Sequence, residues 1–578
     1  MRALARYLPI AGWLPRYRRD DLPGDIMAGI IVAIVLVPQG MAYAMLANLP
    51  PEIGLYASLI PPVLYGIFGT SRALAVGPVA IMSLMTASAT AAYTGGAGRL
   101  EVALVLALIS GLLLLAMGLL RLGLLVNFLS HPVISGFTSA AALVIAFSQL
   151  RHLLGLEMAG GLPFGDTVWQ SVLHLTTANA ATACLGLGSI VLLLAWRGPV
   201  ARLLKAIGVP GGLVGPIAKG GPLVVVAGGT LLTGLLHLDG GAGVATVGAI
   251  PEGLPALGIP SLDPDLWAEL APAAVLIAIV GFLESVSVAR ALASKRRQRI
   301  DANQELIALG SANIGAAFTG AYPVAGGFGR SVVNFSSGAA TPLASIITAL
   351  LIGVTLLVLT PLFHDLPRAV LAAIIVVAVA ALIDVASFRR AWRYDKADAA
   401  AQAVTFGAVL AIGVELGIVA GIVLSLLLHL WRTSRPHVAV VGRVGNTEHF
   451  RNVRRHTVTT LPHVLAVRVD ESLYFANASY LEGFLLNAVA DDRLVRHVVL
   501  ICSAVNVIDA SALESLETLS GELRDAGVTL HLAEVKGPVS DRLARTGFLE
   551  HLAPGRVFLS THEAMVALAQ VGAGQGAR

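Results

Sequence analysis

Charge is scarce in this sequence. Only 13% of its 578 residues are Asp, Glu, Lys or Arg, while 56% are apolar, and soluble globular proteins carry roughly a quarter charged residues. The formal net charge of +4 is small, and no basic stripe alternates with aromatic residues, so nucleic acid is not an expected partner. The composition favours a protein whose main solvent is the lipid bilayer.

Cysteines, processing signals and catalytic motifs are also few or missing. Cys184 and Cys502 are far apart in the chain, so they define no disulfide framework. No Walker A loop and no nucleophile–base constellation appears, so neither ATP-driven pumping nor an enzyme is expected, and no metal or cofactor is implied. The N-terminus lacks the pattern of a cleaved signal peptide, and we expect the first membrane helix to direct insertion.

Long apolar runs recur from Asp25 to about Trp431. A membrane helix needs ~20 apolar residues, or fewer where it is broken inside protein. Fourteen spans are predicted, near residues 26–46, 53–69, 74–92, 101–120, 132–150, 178–196, 222–237, 271–290, 303–319, 322–337, 341–361, 368–384, 399–413 and 415–431.

The distribution of basic residues predicts the orientation of these spans. Basic clusters such as residues 295–299 fall on the N-terminal side of the fourteen-span layout, and the opposite side has few basic residues, mainly Arg99, Arg151 and Arg368. By the positive-inside rule the basic side is cytoplasmic, which places both termini inside the cell.

The last part of the chain has the composition of a soluble domain. Strand-like runs at 463–469, 473–476, 497–502 and 528–533 alternate with helical patterns at 478–490, 511–525, 539–546 and 561–571. This alternation predicts a small α/β domain with a mainly parallel sheet. The predicted organisation is a transmembrane transport domain over 1–434, a cytoplasmic domain over 435–571 and a disordered tail over 572–578.

Two spans are interrupted by Gly and Pro at corresponding positions. The first break covers residues 74–80 in the third span, and the second covers residues 322–331 in the tenth, which is the third span of the second seven. Paired broken helices are typical of an inverted-repeat transporter with its site at the bilayer midplane. The alternative is a pair of kinks relieved by helix packing, because Gly and Pro are frequent in membrane helices.

A helix that begins inside the membrane offers its first N–H groups and its positive dipole end to a ligand. We therefore expect a small anion between two facing half-helices, where glycines let the backbone approach it closely. The candidate contacts are Val76, Gly77, Val79 and Ala80 from the first break and Gly327, Phe328, Gly329 and Arg330 from the second. Gln39 and Tyr43 share a helix face and are further candidates, with helix packing as their alternative role.

Two of the charged residues in the predicted spans lie well away from the span ends. Glu284 lies in the eighth span, and Arg330 follows the second break. A charge at the bilayer centre costs at least ~2.5–3.5 kcal/mol, so each needs a partner, and we pair the two. Arg330 would supply positive charge to the anion, while protonation of Glu284 would free Arg330 and couple a proton to the anion. The alternative is a static structural ion pair.

Several motifs resemble the SulP family of sulfate permeases and anion exchangers, nearly from end to end. Pro38-Gln39-Gly40-Met41-Ala42-Tyr43-Ala44, continued by residues 46–58 and 69–79, resembles the family's signature through its first spans. Residues 130–137, 300–306 and 330–334 resemble its later motifs.

The resemblance implies a 7+7 inverted repeat with core and gate domains, working as a homodimer by an elevator-type movement. It implies substrate at half-helices three and ten, beside spans one and eight. Plant-type proton–sulfate symporters of the family are similar in having Glu at 284 and Arg at 330, so proton-coupled sulfate symport in a bacterial-type inner (plasma) membrane is the leading hypothesis. A sodium-coupled bicarbonate or dicarboxylate symporter is the alternative, although Val288 replaces the expected hydroxyl ligand one turn after Glu284.

The tail resembles a STAS domain, the module shared with anti-sigma-factor antagonists. Ser511 matches the phosphorylatable serine of that module, with Ala512 in place of the usual Gly. Capping of the following helix by Asp509 and Ser511 is the alternative role. The module implies a cytosolic protein partner, and an anion channel or a membrane-anchored signalling protein is the alternative class of function.

Overall fold

The computed structural model of the chain describes residues 7–93, 96–124, 130–159, 162–200, 202, 206–207 and 220–575. The chain divides into two compact units, Met1–Ser425 and Leu426–Arg578. Seven described helical segments are long and apolar enough to cross a membrane, and three shorter helices are apolar as well. The predicted fold class, a helical membrane protein with a small α/β domain, is confirmed.

Among its described residues, the first half of the membrane unit contains one two-residue strand, β1 (Val76–Gly77), between helices, turns and loops. Its helices are α1 (Ile10–Trp13), α2 (Leu22–Leu46), α3 (Pro51–Tyr56), α4 (Ile60–Phe68), α5 (Ala80–Ala89), α6 (Gly96–Leu119), α7 (His131–Ser148), α8 (Leu150–Leu154), α9 (Phe164–Leu173), α10 (Ala180–Ala195), α11 (Gly221–Leu236) and α12 (Leu238–Gly241). Short 3-10 or π turns cover Leu14–Arg16, Arg19–Asp21, His174–Thr177 and Trp196–Val200.

The second half repeats this plan around a second short strand, β2 (Ala325–Gly326). Its helices are α13 (Pro264–Lys295), α14 (Ala302–Phe318), α15 (Phe328–Ser336), α16 (Leu343–Val354), α17 (Arg368–Ala380), α18 (Val385–Tyr394), α19 (Lys396–Ile412) and α20 (Val414–Ser434). A π turn at Thr355–Leu359 and a 3-10 turn at Thr360–Phe363 extend α16.

Each of the fourteen predicted spans overlaps at least one of these helices. The second span is divided into α3 and α4, and the third and tenth each consist of a short strand followed by a half-helix. Helices α9 and α18 lie outside the predicted spans. Both are ten residues long, too short to span a bilayer unaided.

Close backbone contact fixes the helix that carries Gln39 and Tyr43. A Cβ atom added to Gly54 of α3 would lie 1.9 Å from the carbonyl oxygen of Gly40 in α2. No side chain fits there, so these two glycines let the helices touch. The position of α2 therefore depends on glycine at both residues.

The soluble unit contains a six-stranded sheet in the order β4-β3-β5-β6-β7-β8. Its strands are β3 (Val438–Arg443), β4 (Phe450–Asn452), β5 (Val464–Val469), β6 (His497–Ile501), β7 (Thr529–Ala533) and β8 (Val557–Phe558), and its helices are α21 (Ala478–Asp491), α22 (Ala510–Asp525), α23 (Gly537–Arg545), α24 (Phe548–His551) and α25 (Thr561–Gln575). Strands β5 to β8 are parallel, and β3 pairs antiparallel with both β4 and β5.

Two predictions for this unit were wrong in detail. Residues 473–476 form no strand: Leu473 makes an isolated bridge to Ile508, and the side chain of Asn477 accepts a hydrogen bond from the Tyr474 N–H and closes a turn. Helix α25 continues to Gln575, so residues 572–575 are helical where disorder was predicted, and residues 576–578 lie outside the described part. Strands β3, β4 and β8 were not predicted.

Candidate functional site

The two broken spans meet in the middle of the membrane unit. Strands β1 and β2 pair antiparallel, with Val76 opposite Gly326 and Gly77 opposite Ala325. The Gly327 N–H donates to the Ala75 carbonyl at 3.2 Å and extends the contact by one residue. Each extended segment thus supplies the backbone partners that the other lacks, which is how non-helical backbone is tolerated inside a membrane protein.

Polar side chains satisfy the remaining backbone groups of the breaks. Ser285 Oγ accepts from the Gly326 N–H at 2.8 Å, and Ser331 Oγ accepts from the Ala75 N–H at 2.9 Å. The amide of Asn313 bonds both the N–H and the carbonyl of Val324, at 2.9 and 3.0 Å. These hydrogen-bonding roles of Ser285, Ser331 and Asn313 were not predicted from the sequence. A polar residue inside an apolar span is the sequence feature that could have indicated them.

A half-helix begins directly after each strand. Helix α5 starts at Ala80 and α15 at Phe328, and neither has a side-chain cap. The first intrahelical bonds are those of the Ser83 N–H to the Val79 carbonyl and the Ser331 N–H to the Gly327 carbonyl, both 3.0 Å. The N–H groups before them therefore have no helical partner, and the positive dipole ends of both helices lie at the crossing.

Arg330 packs against this crossing, and the residue is 3% exposed. One Nη donates to the Pro78 carbonyl, while Nε and the other Nη are buried without a hydrogen-bond partner. A Cβ added to Gly327 would lie 3.1 Å from the guanidinium, and one added to Gly77 would lie 3.5 Å from its Nη2. The guanidinium is thus packed against both breaks with donors to spare.

Glu284 lies on α13, one residue before the supporting Ser285. The side chain is partly buried, and its Oε2 is buried without a hydrogen-bond partner. No ion pair within 4.0 Å joins Glu284 to Arg330, both of which are described residues. The direct ion pair predicted from the sequence is therefore not formed, and each charge is left with free hydrogen-bonding atoms.

Gln39 and Tyr43 interact with each other on α2. Gln39 Nε2 donates to Tyr43 Oη at 2.8 Å, and Gln39 Oε1 is buried without a partner. Their shared helix face is confirmed by this contact. The Tyr43 hydroxyl keeps its own proton available for a ligand, since it accepts rather than donates in this bond.

These groups line one cavity of about 520 Å³, which we name the central cavity. Part of its lining, which we name the polar wall, contributes polar side chains or the first backbone groups of α5 and α15. This wall contains the predicted residues Gln39, Tyr43, Val79, Ala80, Glu284, Gly327, Phe328, Gly329 and Arg330. Val76 and Gly77 are not on this wall, because both are occupied in the ladder with β2. Whether the lining residues bind substrate stays a prediction.

The rest of the lining of the central cavity is mainly apolar, and we name it the apolar wall. It is built mainly from the residues of α10, α11 and α17 with the adjoining turn, among them Leu193, Pro222, Ile374, Val377 and Leu382. Such residues give no chemical signal in a sequence, so this wall was not predicted. An apolar wall lowers the local dielectric and strengthens the attraction between an anion and the polar wall.

Ser511 lies in the first turn of α22 in the soluble unit and is exposed. The cap of this helix is Asp509, whose Oδ1 accepts from the Ala512 N–H at 2.8 Å. The capping role proposed for Asp509 is therefore observed. Ser511 is exposed, and its phosphorylation stays a prediction.

Two known protein families match parts of this chain. The Sulfate permease family matches residues 22–405, and the STAS domain matches residues 456–564. The chain is similar to Sulfate transporter 4.1, chloroplastic, of Arabidopsis thaliana, with 37% identity over 96% of this chain and 82% of that protein. It is also similar to Solute carrier family 26 member 6 of Homo sapiens, with 35% identity over 82% of this chain and 64% of that protein.

A solved structure has the same fold over nearly the whole chain. It is that of the murine Solute Carrier 26 family member A9 anion transporter in the inward-facing state, with a TM-score of 0.88 and 26% identity. The likeness covers 98% of this chain and 94% of the other, so it includes both the membrane unit and the soluble unit.

Proposed function

The chain belongs to the sulfate permease family and carries a STAS domain, and we propose that it is a proton-coupled symporter of sulfate or a similar small oxyanion. It is a multi-pass membrane protein of a family of transporters. Its relatives are named as sulfate transporters and as a member of solute carrier family 26, which supports an anion as the substrate.

The observation that carries this proposal is the unsatisfied guanidinium of Arg330. Its Nε and one Nη are buried without partners, and the uncapped starts of α5 and α15 lie on the same cavity wall. A small anion supplies both the negative charge and the acceptor atoms that these donors lack. A doubly negative oxyanion suits a site that combines one full positive charge with two helix N-termini.

Glu284 supports coupling to protons. An anion beside Arg330 and an ionised Glu284 would be two like charges on one cavity wall, so binding of the anion and protonation of Glu284 favour each other. Binding should therefore take up a proton and strengthen as the pH falls. A metal ion is not needed for this coupling, since the carboxylate itself changes charge.

We further propose an elevator-type movement in a homodimer, in an inner membrane with both termini cytoplasmic. The β1–β2 ladder and the bonds of Ser285 and Ser331 tie the two breaks together. The site would therefore move as one body relative to the apolar wall. The similar murine transporter is described as inward-facing, which fits alternating access.

Uptake into proteoliposomes of the purified full chain tests the proposal. Radiolabelled sulfate, bicarbonate and fumarate are compared under an imposed proton or sodium gradient. We expect accumulation of sulfate above equilibrium with the interior alkaline and no requirement for sodium. Protein-free liposomes and Arg330→Ala provide the controls.

Other outcomes of the uptake experiment would support the alternative functions. Sodium-dependent accumulation of bicarbonate or fumarate would replace the proposal by a sodium-coupled symporter. Flux without accumulation would indicate a channel. No flux for any of the three anions would favour a signalling role through the STAS domain.

A further inference from the structure

Another cavity, of about 240 Å³, lies at the C-terminal end of α2 and is lined by several positive side chains. We name it the arginine cavity. It is lined by Arg99, Arg151, His152, Arg368, Met45 and the turn formed by residues 48–51. No acidic side chain is among these lining residues, so its charge is of one sign.

The three arginines are not neutralised by carboxylates. Arg99 Nε donates to the Tyr93 carbonyl at 2.9 Å, and Arg368 Nε donates to the Thr246 carbonyl at 2.9 Å. Within the described ranges none of the three forms an ion pair. Their observed partners are neutral oxygens, and like charges gathered in a small cavity repel one another.

Arg151 has a hydrogen-bond donor without a partner. Its Nη2 donates to Asn48 Oδ1 at 3.3 Å, but its Nε is buried without a hydrogen-bond partner. A buried donor that lacks a partner is costly, and the cost is larger for a charged group. An anion in the arginine cavity would satisfy this donor and reduce the repulsion among the three guanidinium groups.

The convergence of these residues is not explained by membrane topology. They come from three separate elements, α6, α8 and the start of α17, and they are the few basic residues predicted on the side opposite the N-terminus. Residues that only anchor helices at the interface face the headgroups around the rim of a protein. Here all three line one cavity.

The arginine cavity lies close to the central cavity along the chain. Gln39 and Tyr43 of α2 line the central cavity, while Met45 and the following Asn48 line the arginine cavity. Tyr43 and Met45 are both in α2, only two residues apart, which is about 3 Å along the helix axis. The two cavities are thus lined by residues within one turn of the same helix.

We propose that the arginine cavity is an external anion-binding site that captures a small inorganic anion before it enters the transport pathway. The ligand is a free oxyanion such as sulfate, and this choice rests on the proposed function. Capture at a cavity of one charge sign raises the local anion concentration and the rate of association.

Direct binding distinguishes this site from the transport site. Sulfate is titrated calorimetrically into the full chain carrying Arg330→Ala, which removes the central charge, in membranes of phosphatidylcholine alone. We expect one residual sulfate per chain, lost when Arg99→Gln and Arg368→Gln are added. Arg99 is partly buried, Arg368 is exposed, and each donates to a single carbonyl, so the variants should fold, as an unchanged melting temperature would verify.

The matched control removes the same charge elsewhere. Arg389→Gln with Arg393→Gln neutralises two exposed arginines of α18 and should leave the residual binding intact. Absence of residual binding in Arg330→Ala, or residual binding that survives Arg99→Gln with Arg368→Gln, would overturn the proposal. If Arg330→Ala instead binds two sulfates, the transport-site assignment fails while this one stands.

Transport and lipid dependence complete the test. Arg99→Gln with Arg368→Gln should raise the KM for external sulfate by about tenfold at low ionic strength, and much less at high ionic strength, without changing kcat. An unchanged KM at low ionic strength would contradict capture. If phosphatidylglycerol occupies the cavity and sulfate does not bind even in pure phosphatidylcholine, the site belongs to a lipid headgroup and the proposal is wrong.

Discussion

Glu305 and Glu284 are both carboxylates inside the membrane unit, but their surroundings are opposite. Glu305 is fully buried and accepts four hydrogen bonds, from the Tyr65 hydroxyl, the Ser71 N–H, and both the N–H and hydroxyl of Thr70, at 2.6 to 3.2 Å. Glu284 has a buried Oε2 without a partner. One region of the protein uses an acid to hold segments together, and the other leaves an acid free.

Asp25 repeats the arrangement of Glu305 on the other half of the chain. It accepts from the Ala340 N–H at 2.7 Å, from the Thr341 N–H and hydroxyl at 3.0 and 2.6 Å, and from the Tyr17 hydroxyl at 3.2 Å. Glu305 joins α14 to the turn after α4, and Asp25 joins α2 to the turn after α15. Each therefore links the two halves of the membrane unit.

The contrast separates structural from functional acids by hydrogen bonding rather than by burial. A carboxylate that accepts four bonds from fixed donors holds those donors in place and cannot change its charge without disturbing them. A carboxylate with free oxygens near an unsatisfied arginine can change its charge without breaking a network. Substitutions of Arg330, Glu305 and Glu284 test this distinction.

Removing the positive charge of the central cavity should have the largest effect. Arg330→Ala is expected to lower sulfate uptake by about 100-fold or more, because the anion loses a charge-assisted bond in a low-dielectric wall and meets Glu284 without a counter-charge. Arg330→Lys should retain part of the uptake, since it keeps the charge but not the guanidinium donors. Initial rates in proteoliposomes measure both. Uptake by Arg330→Ala at more than half the wild-type rate would remove Arg330 from the site.

Removing a structural acid should affect stability instead. Glu305→Ala is expected to lower the free energy of unfolding by about 3 kcal/mol, because it leaves buried donors of Tyr65, Thr70 and Ser71 without an acceptor. Thermal unfolding of the full chain in detergent, followed by tryptophan fluorescence, measures the change. An unaltered melting temperature would show that the four bonds do not hold the fold.

Glu284→Gln should affect transport rather than stability. Its free energy of unfolding should stay within about 0.5 kcal/mol of that of the wild type. The neutral amide cannot exchange a proton, so uptake should lose its response to a pH gradient, a drop of about tenfold under that gradient. Sulfate binding should persist, since the amide resembles the protonated acid. Calorimetry in buffers of different ionisation enthalpy checks the linked proton: wild-type protein that transports but takes up no proton on binding would leave Glu284 without a coupling role.

A smaller effect is expected in the soluble unit, where a buried histidine should make stability depend on pH. His531 of β7 is 4% exposed, and its Nδ1 accepts from the Arg556 N–H at 3.1 Å, a bond that only the neutral tautomer allows. Burial lowers the pKa of His531 to about 4, and burial together with His463 lowers the pKa of neighbouring His497. Between its ordinary pKa near 6.5 and about 4, His531 takes up a proton in the unfolded chain but not in the folded one. Its stabilising contribution is thus complete above that range and lost as the pH falls through it.

Hydrogen exchange of the full chain, corrected for intrinsic rates, measures this loss. Protection of the amides in β6 and β7 should fall by roughly tenfold from pH 7.5 to pH 5. His531→Asn keeps an acceptor near Nδ1 and has no titratable group, so its protection should depend less on pH. Equal pH dependence in both proteins would assign the effect to other groups.

The fold was largely predictable because its strongest signals are local. Apolar runs mark the spans, and Gly-Pro breaks mark the two interrupted helices at matching places. Most of the polar wall of the central cavity followed from those breaks. The distinction between Glu305 and Glu284 was not predictable, because the donors that satisfy Glu305 lie about 235 residues away in the chain. The same holds for Ser285 and Ser331, whose backbone partners are set only by the crossing.

Weak local signals explain several of the remaining differences. Strands β4 and β8 have only three and two residues, too few for an alternating pattern, and residues 473–476 are apolar but close a turn. The arginine cavity was also hidden, since Arg99, Arg151 and Arg368 are isolated from one another in the sequence.

The ladder between the breaks has a consequence for biosynthesis. Val76 and Gly326 are 250 residues apart (326 − 76), and chains are made at about 5–20 residues per second, so the first break waits about 12–50 s for its partner to be synthesised. During that time the backbone groups of residues 75–77 lie in an inserted span without the acceptors and donors that they have in the finished protein. A chain that stops before residue 326 should therefore carry an unsatisfied break in the membrane, and we expect such fragments to be recognised and degraded rather than to accumulate.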